Sequence, residues 1–197
     1  MARRSDHSRE ELEALAINAG HQLIGEQGFS HFSARQVALR IGYTVGTLYH
    51  IFGSYDELIL RINAKTLDAW YGEMAAALQK NKSDPMRFLA RHYLAYSTEH
   101  YQHWLALFEH HMEKGRAVPG WYREKLARFF VLMEDALLPR VGNNRKKAGK
   151  IAKVLWAGIH GICILSHTGK LDIVGAQSAE ALALSLVDHY LAGVKHA

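Results

Sequence analysis

Four residues near the N-terminus have the types and spacing to grip a polyanion: Thr44, Thr47, Tyr49 and His50. They fall in TVGTLYHIF, where Leu48, Ile51 and Phe52 recur at three to four residues and can face inward together. That leaves Val45, Gly46, Thr47 and His50 on an outward surface that is small and polar. Such a surface can approach base edges in a major groove, where a bulky apolar one could not. On this reading Thr47 and His50 are base readers, while Tyr49, Thr44 and Arg35 bond phosphate and position the protein without specifying sequence.

The elements that must hold these residues are two short helices. Ser33 is an N-cap with Gln36 three residues on, and Val37, Ala38 and Ile41 form one apolar face ended by Gly42. Thr44 caps the second helix. Upstream, Ser8 and Glu11 form a capping box, and Leu12, Leu15, Ala16, Ala19, Leu23 and Ile24 keep a helical period up to Gly28. This helix roofs the pair, with Phe29 and Phe32 plugging the gap. Ser54 and Glu57 then open a long fourth helix running to about Gln79.

The rest of the chain reads as further helices. Asp84-Pro85 starts one carrying Leu89, Tyr93, Tyr96, Ser97 and His100, and Trp104, Leu107, Phe108 and Met112 mark the next. Pro119 opens another that stops near Pro139. Two last helices span about Arg145 to Thr168 and about Ala179 to Lys195. With no strand pattern, the expected fold is all-α, about nine helices: a helix-turn-helix head over residues 1–54, a connecting helix and linker over 55–84, and a larger bundle over 85–197.

Composition sets limits. The chain has 197 residues, a net charge of +5 and a single cysteine, Cys163, which has no partner for an internal disulfide. No run reaches the roughly 18 to 20 consecutive apolar residues that span a bilayer, and MARRSDHSR is unlike a signal peptide. The expectation is a cytoplasmic protein without a membrane partner. The head itself is formally neutral, since Arg3, Arg4, Arg9, Arg35 and Arg40 are matched by Asp6, Glu10, Glu11, Glu13 and Glu26. Arg3 and Arg4 stand ahead of the first helix, where an arm could lie along a groove. The densest basic run, Arg145, Lys146, Lys147, Lys150 and Lys153, begins an amphipathic helix and reads as a solvated face.

The segment GFSHFSARQVALRIGYTVGTLYHIFGSYDEL resembles the TetR/AcrR family of bacterial transcriptional regulators. The resemblance implies that Gly46 lets the recognition helix sit close to DNA and that Tyr49 contacts phosphate. This chain has Tyr55 where the family often has lysine and Ile51 where it often has histidine; the Tyr55 hydroxyl still suits phosphate. WAGIHG, from Trp156 to Gly161, resembles the Trp-x-x-x-His-Gly signature of one subgroup's C-terminal domain, although AYSTEHYQHWLALF has Tyr101 where that subgroup commonly has proline.

The bundle is rich in aromatic residues: Trp70, Tyr93, Tyr96, Trp104, Phe108, Trp121, Phe129, Phe130 and Trp156, with His100 and His160 among them. Singly each suits a core; together they suit an apolar cavity with a few polar anchors. The family resemblance makes these, Phe129 apart, the expected site of a small apolar or aromatic effector. Ala157, Gly158, Gly161, Ile162 and Leu165, with Ala183, Leu186, Val187 and Tyr190, are expected to pair two copies into a homodimer that reads a near-palindrome of double-stranded operator DNA. Internal packing alone could also explain their small side chains. No cofactor and no metal are expected, because the chain has no Cys/His cluster and no Glu-x-x-His motif; His100 and His103 read as exposed helix histidines and Cys163 as a small buried hydrophobe. The leading function is a repressor released by its effector, with a ligand-independent regulator or an activator as the near alternative and a helical enzyme or interaction module as the distant one. No nucleophile elbow, phosphate-cradling loop or paired carboxylate supports an enzyme.

Overall fold

A computed structural model describes residues 7–81, 83–176 and 178–194; Arg3 and Arg4 lie outside the described residues. Among the described residues ten α-helices run in order: α1 Arg9–Gln27, α2 Ala34–Ile41, α3 Val45–Phe52, α4 Tyr55–Lys80, α5 Pro85–Glu99, α6 Tyr101–Glu109, α7 Gly120–Leu137, α8 Arg145–His167, α9 Lys170–Ile173 and α10 Ala179–Val194. No strand occurs among the described residues. The sequence misses only the four-residue α9, too short to show a period.

Helix ends follow side-chain chemistry. Ser8 and Glu11 close a reciprocal capping box on α1, and the Ser33, Thr44 and Asn144 side chains accept from backbone N–H groups three residues on. α5 gives way to α6 at His100, whose φ of −119° and ψ of 38° break the helix without any proline. α6 ends at Glu109, leaving Met112 in the following loop.

The chain forms two compact units that divide it differently from the sequence reading. Residues 100–123 pack with residues 1–69, and residues 70–99 pack with residues 124–197, so α4 and α7 contribute to both units. In the first unit Ala16, Ala19, Leu23 and Ile24 of α1 close over Val37 and Ala38 of α2, Leu48, Ile51 and Phe52 of α3, and Leu58, Ile59 and Ile62 of α4. Leu15, expected inside, is 38% exposed. α1 approaches α4 closely at Gly20, where a Cβ would lie 2.3 Å from Ile62 Cδ1. In the second unit α5, α8 and α10 pack on one another.

By length and composition α8 is long and apolar enough to cross a membrane, a property that counting consecutive apolar residues does not register. One face of it is buried in the second unit, through Ala148, Ile151, Ala152, Leu155, Ile159 and Cys163, while Val154 and Leu165 are exposed. Gly158 seats Leu186 of α10, whose Cδ2 would lie 2.5 Å from a Cβ there.

Candidate functional site

The first unit builds a helix-turn-helix. Gly42 ends α2 in the left-handed region, φ 77° and ψ 26°, which a side chain would strain. Tyr43 N–H then donates to Ala38 O, at 2.9 Å, and the chain turns into Thr44. Thr44 Oγ1 accepts from Thr47 N–H at 3.2 Å and lies 3.0 Å from Thr47 Oγ1, so both threonine hydroxyls are held at the start of α3. Leu48, Ile51 and Phe52 are buried, while Thr44, Gly46 and His50 are exposed and Tyr49 is 45% exposed. Val45, expected to face out, is half-buried against the core. A Cβ at Gly46 would meet only Thr44 Oγ1, at 3.6 Å. Nothing in the chain's own packing therefore requires glycine at this exposed position.

The arginines of the head are divided in their use. Arg40 forms two hydrogen bonds to Glu26, at 2.9 and 2.7 Å, which tie α2 to α1 and hold the Glu26 carboxyl below its ordinary range. Arg9 Nη2 donates to Ile51 O at 3.1 Å. Arg35 is exposed and has no acidic partner among the described residues, which leaves its charge available. Ser33 is half-buried and engaged with Gln36 as a cap. The half-buried Tyr55 phenol is pushed above its ordinary pKa by burial, then by Tyr49 and Asp56, so Tyr49 and Tyr55 share one electrostatic neighbourhood.

The ten residues expected to meet an effector do not fall together. His100, Trp104, Phe108 and Trp121 belong to the first unit. Trp104 is fully buried there and packs on Phe108, and Trp121 is covered by the Arg61 guanidinium, 4.4 Å from its ring centroid. The other six join one network in the second unit. Trp70 stacks on Tyr96 at 4.5 Å and meets Tyr93 and Phe129, each at 5.2 Å. Tyr93 hydroxyl lies 2.8 Å from His160 Nδ1; the His160 ring stacks on Trp156 at 5.7 Å, and Trp156 meets Phe130 edge-on at 5.5 Å. Burial lowers the His160 pKa, and burial followed by Glu73 raises that of Tyr96, so both side chains stay neutral near pH 7.

A second feature of this unit leaves no local signal in the sequence. A cavity of about 380 Å³ opens between α5, α8 and α10, lined by Arg91, Ser97, Thr98, Cys163, His167 and Glu180 among others. Cys163 Sγ donates to Ser97 Oγ at 2.9 Å, and Ser97 Oγ lies 3.0 Å from His167 Nε2. The Ser97 proton goes to Leu94 O, so both neighbours must donate to its oxygen. Burial raises the Cys163 pKa, which keeps a protonated, hydrogen-bonded thiol. His167 carries no periodic signal that would have singled it out.

The surface expected to pair two copies is only partly available. Ala183 and Val187 are 0% and 1% exposed, and Gly158 is filled by Leu186, because these residues pack α8 on α10 within one chain. Ala157 and Leu165 are exposed, and Gly161, Ile162, Leu186 and Tyr190 half-exposed. Arg145 is paired with Glu134 and Asp135, which partly neutralises the basic start of α8.

Comparison with known proteins adds to this geometry. Residues 16–62 match the model described as bacterial regulatory proteins, tetR family, and residues 86–190, more than half of the chain, match the tetracyclin repressor-like C-terminal domain. The HTH-type transcriptional regulator BetI of Brucella anthropi is 26% identical over 183 residues, covering 89% of each chain. A structure of a protein with unknown function from Rhodococcus sp. RHA1 aligns with a TM-score of 0.70 at 17% identity over 98% of both chains. RolR, solved in complex with resorcinol, aligns with a TM-score of 0.63 at 18% identity, over 89% of this chain and 94% of RolR. The structural likenesses show the shared fold; the sequence matches, one to the reading head and one to the bundle, show that the chain belongs to the tetR family and is a DNA-binding transcriptional regulator rather than an enzyme.

Proposed function

We propose that this regulator is a cytoplasmic repressor that binds a near-palindromic operator as a homodimer and leaves it when a small apolar or aromatic effector enters the second unit. The observation that carries the effector reading is the ring network joined by the hydrogen bond between Tyr93 and His160. It offers flat apolar walls and a few neutral polar groups, the chemistry that small neutral molecules select. RolR, of the same fold, is solved with resorcinol, a small aromatic compound. In this reading Thr47 and His50 meet base edges, and Thr44, Tyr49, Tyr55 and Arg35 meet phosphates, with Gly46 allowing close approach. Arg3 and Arg4 supply an arm. α4 carries both Tyr55 and Trp70, so an effector that prefers one position of α4 biases the reader with it.

The dimer would form on the exposed parts of α8 and α10, through Ala157, Gly161, Ile162, Leu165, Leu186 and Tyr190. Two-fold symmetry then presents two recognition helices to two half-sites. Selection from random duplexes tests the reading: a repressor of this kind enriches one short near-palindrome, sediments as a dimer and represses a reporter placed behind that site. Enrichment of a lone half-site by a monomer would overturn the dimer, and reporter activation would overturn repression.

A further inference from the structure

Trp70 has an unanswered polar atom. The residue is 4% exposed, and its indole Nε1 is buried without a hydrogen-bond acceptor. Trp121 and Trp156 are only partly buried, and no buried indole nitrogen other than that of Trp70 goes unmatched among the described residues. Buried donors are almost always matched, and a phenylalanine would fill much of the same space without an N–H to satisfy. Three rings pack against the indole: Tyr96 on its face at an interplanar angle of 6°, with Tyr93 and Phe129 tilted around it.

The neighbourhood sets the charge of whatever would answer that donor. Burial lowers the pKa of His160 and His92, and burial with Glu73 raises that of Tyr96. Each of these groups is held in its uncharged form and the Glu73 carboxylate lies near, so an anion would be costly where a neutral acceptor would not.

We propose that the Trp70 indole N–H is the polar anchor of the effector site and donates to an acceptor oxygen of a neutral, flat aromatic molecule seated among Tyr93, Tyr96 and Phe129. The assignment rests on the effector reading above and adds to it the ligand's chemical class. An aryl ketone or a phenol meets the requirement; a hydrocarbon of the same shape does not.

Acetophenone and α-methylstyrene form a matched pair, differing by a carbonyl oxygen in place of a methylene. Both are titrated into the full chain and into Trp70→Phe while the indole N–H signals are followed by NMR. The wild type is expected to bind acetophenone about tenfold more tightly, with the Trp70 signal moving downfield for the ketone only. In Trp70→Phe the preference should vanish while α-methylstyrene still binds. If that variant does not fold, the wild-type spectrum decides, since one indole signal must move downfield with the ketone and none may move downfield with the hydrocarbon. Binding of neither probe, equal affinity for both in the wild type, or an equal loss for both in the variant overturns the assignment. A ketone that binds both proteins alike sits elsewhere, such as the cavity beside Ser97 and Cys163, and also overturns it. A ketone that engages Trp70 but leaves DNA affinity unchanged would instead contradict the effector reading and leave the anchor in place.

Discussion

The imidazole rings of His21 and His103 lie face to face, 3.9 Å between centroids, with His103 Nε2 2.9 Å from His21 O. The stack joins α1, which roofs the reading helices, to α6. It sits against Gly25, where a Cβ would lie 2.8 Å from the His103 ring. Burial, then His103, Lys65 and His100, lower the His21 pKa from 6.5 to about 4, and His103 is lowered as well, chiefly by burial.

Acid should therefore loosen the first unit. Between about pH 6.5 and 4 the unfolded imidazole is protonated while folded His21 is not, so the unfolded state binds more protons and stability falls as pH falls. Above 6.5 the stabilisation is complete. With screening of this half-buried pair, the loss is on the order of 1 kcal/mol by pH 4.5. Melting curves should show it, and His21→Gln should flatten the dependence in that window.

Close approach of α1 to α4 depends on Gly20. Although alanine favours helix by about 1 kcal/mol, its methyl would sit 2.3 Å from Ile62 Cδ1 and 3.5 Å from Phe32 Cε2. Gly20→Ala is expected to cost roughly 1 to 3 kcal/mol. Denaturant titration checks it; a variant as stable as the wild type would show that Ile62 has room to move.

A carboxylate secures the start of α4. Asp56 Oδ1 lies 3.0 Å from His110 Nε2, and Oδ2 accepts from Glu113 N–H at 3.2 Å. Burial alone would raise the Asp56 pKa, but these hydrogen bonds and nearby Arg116 hold it below its ordinary value. Asp56→Ala leaves the half-buried His110 donor unmet and hands the exposed Glu113 N–H to water, and should cost about 1 to 3 kcal/mol. Thermal denaturation of the variant measures the loss.

DNA contacts divide into uniform and selective effects. Tyr49→Phe should weaken binding to all duplexes alike, by roughly three- to tenfold for one lost hydrogen bond. Arg35→Gln should lower the slope of log affinity against log salt by about 1. Thr47 and His50 substitutions should instead change which duplexes are preferred. Anisotropy titrations over a salt series separate the three outcomes.

The reading head was the most legible part of the sequence because its signals are local. Ser8, Ser33, Gly42 and Thr44 each act within a few residues, and the structure places each at the helix end its chemistry suits. The aromatic residues were harder to sort, since hydrophobicity does not reveal which neighbours a ring will find. Trp70 and Trp104 look alike in sequence, yet they lie in different units because the chain breaks at His100 and residues 100–123 return to the first unit. The small residues of α8 and α10 were ambiguous for a similar reason. Gly158 and Ala183 serve packing within the chain, and only the arrangement of the two helices separates them from the exposed Ala157 and Leu165. The Ser97, Cys163 and His167 group is assembled across a long sequence separation, where no spacing rule reaches.

A molecule held by the ring network of the second unit is expected to control DNA binding by the first. The measurement is the affinity of the full chain for its selected near-palindrome with and without acetophenone at about ten times the wild type's Kd for it, the same concentration being used for Tyr93→Phe and Trp70→Phe. Operator affinity should fall at least fivefold in the wild type, and by much less in the variants, which should bind DNA normally when the compound is absent. Unchanged affinity in the wild type with acetophenone bound, or an equal fall in all three proteins, would show that the ring network does not control DNA binding.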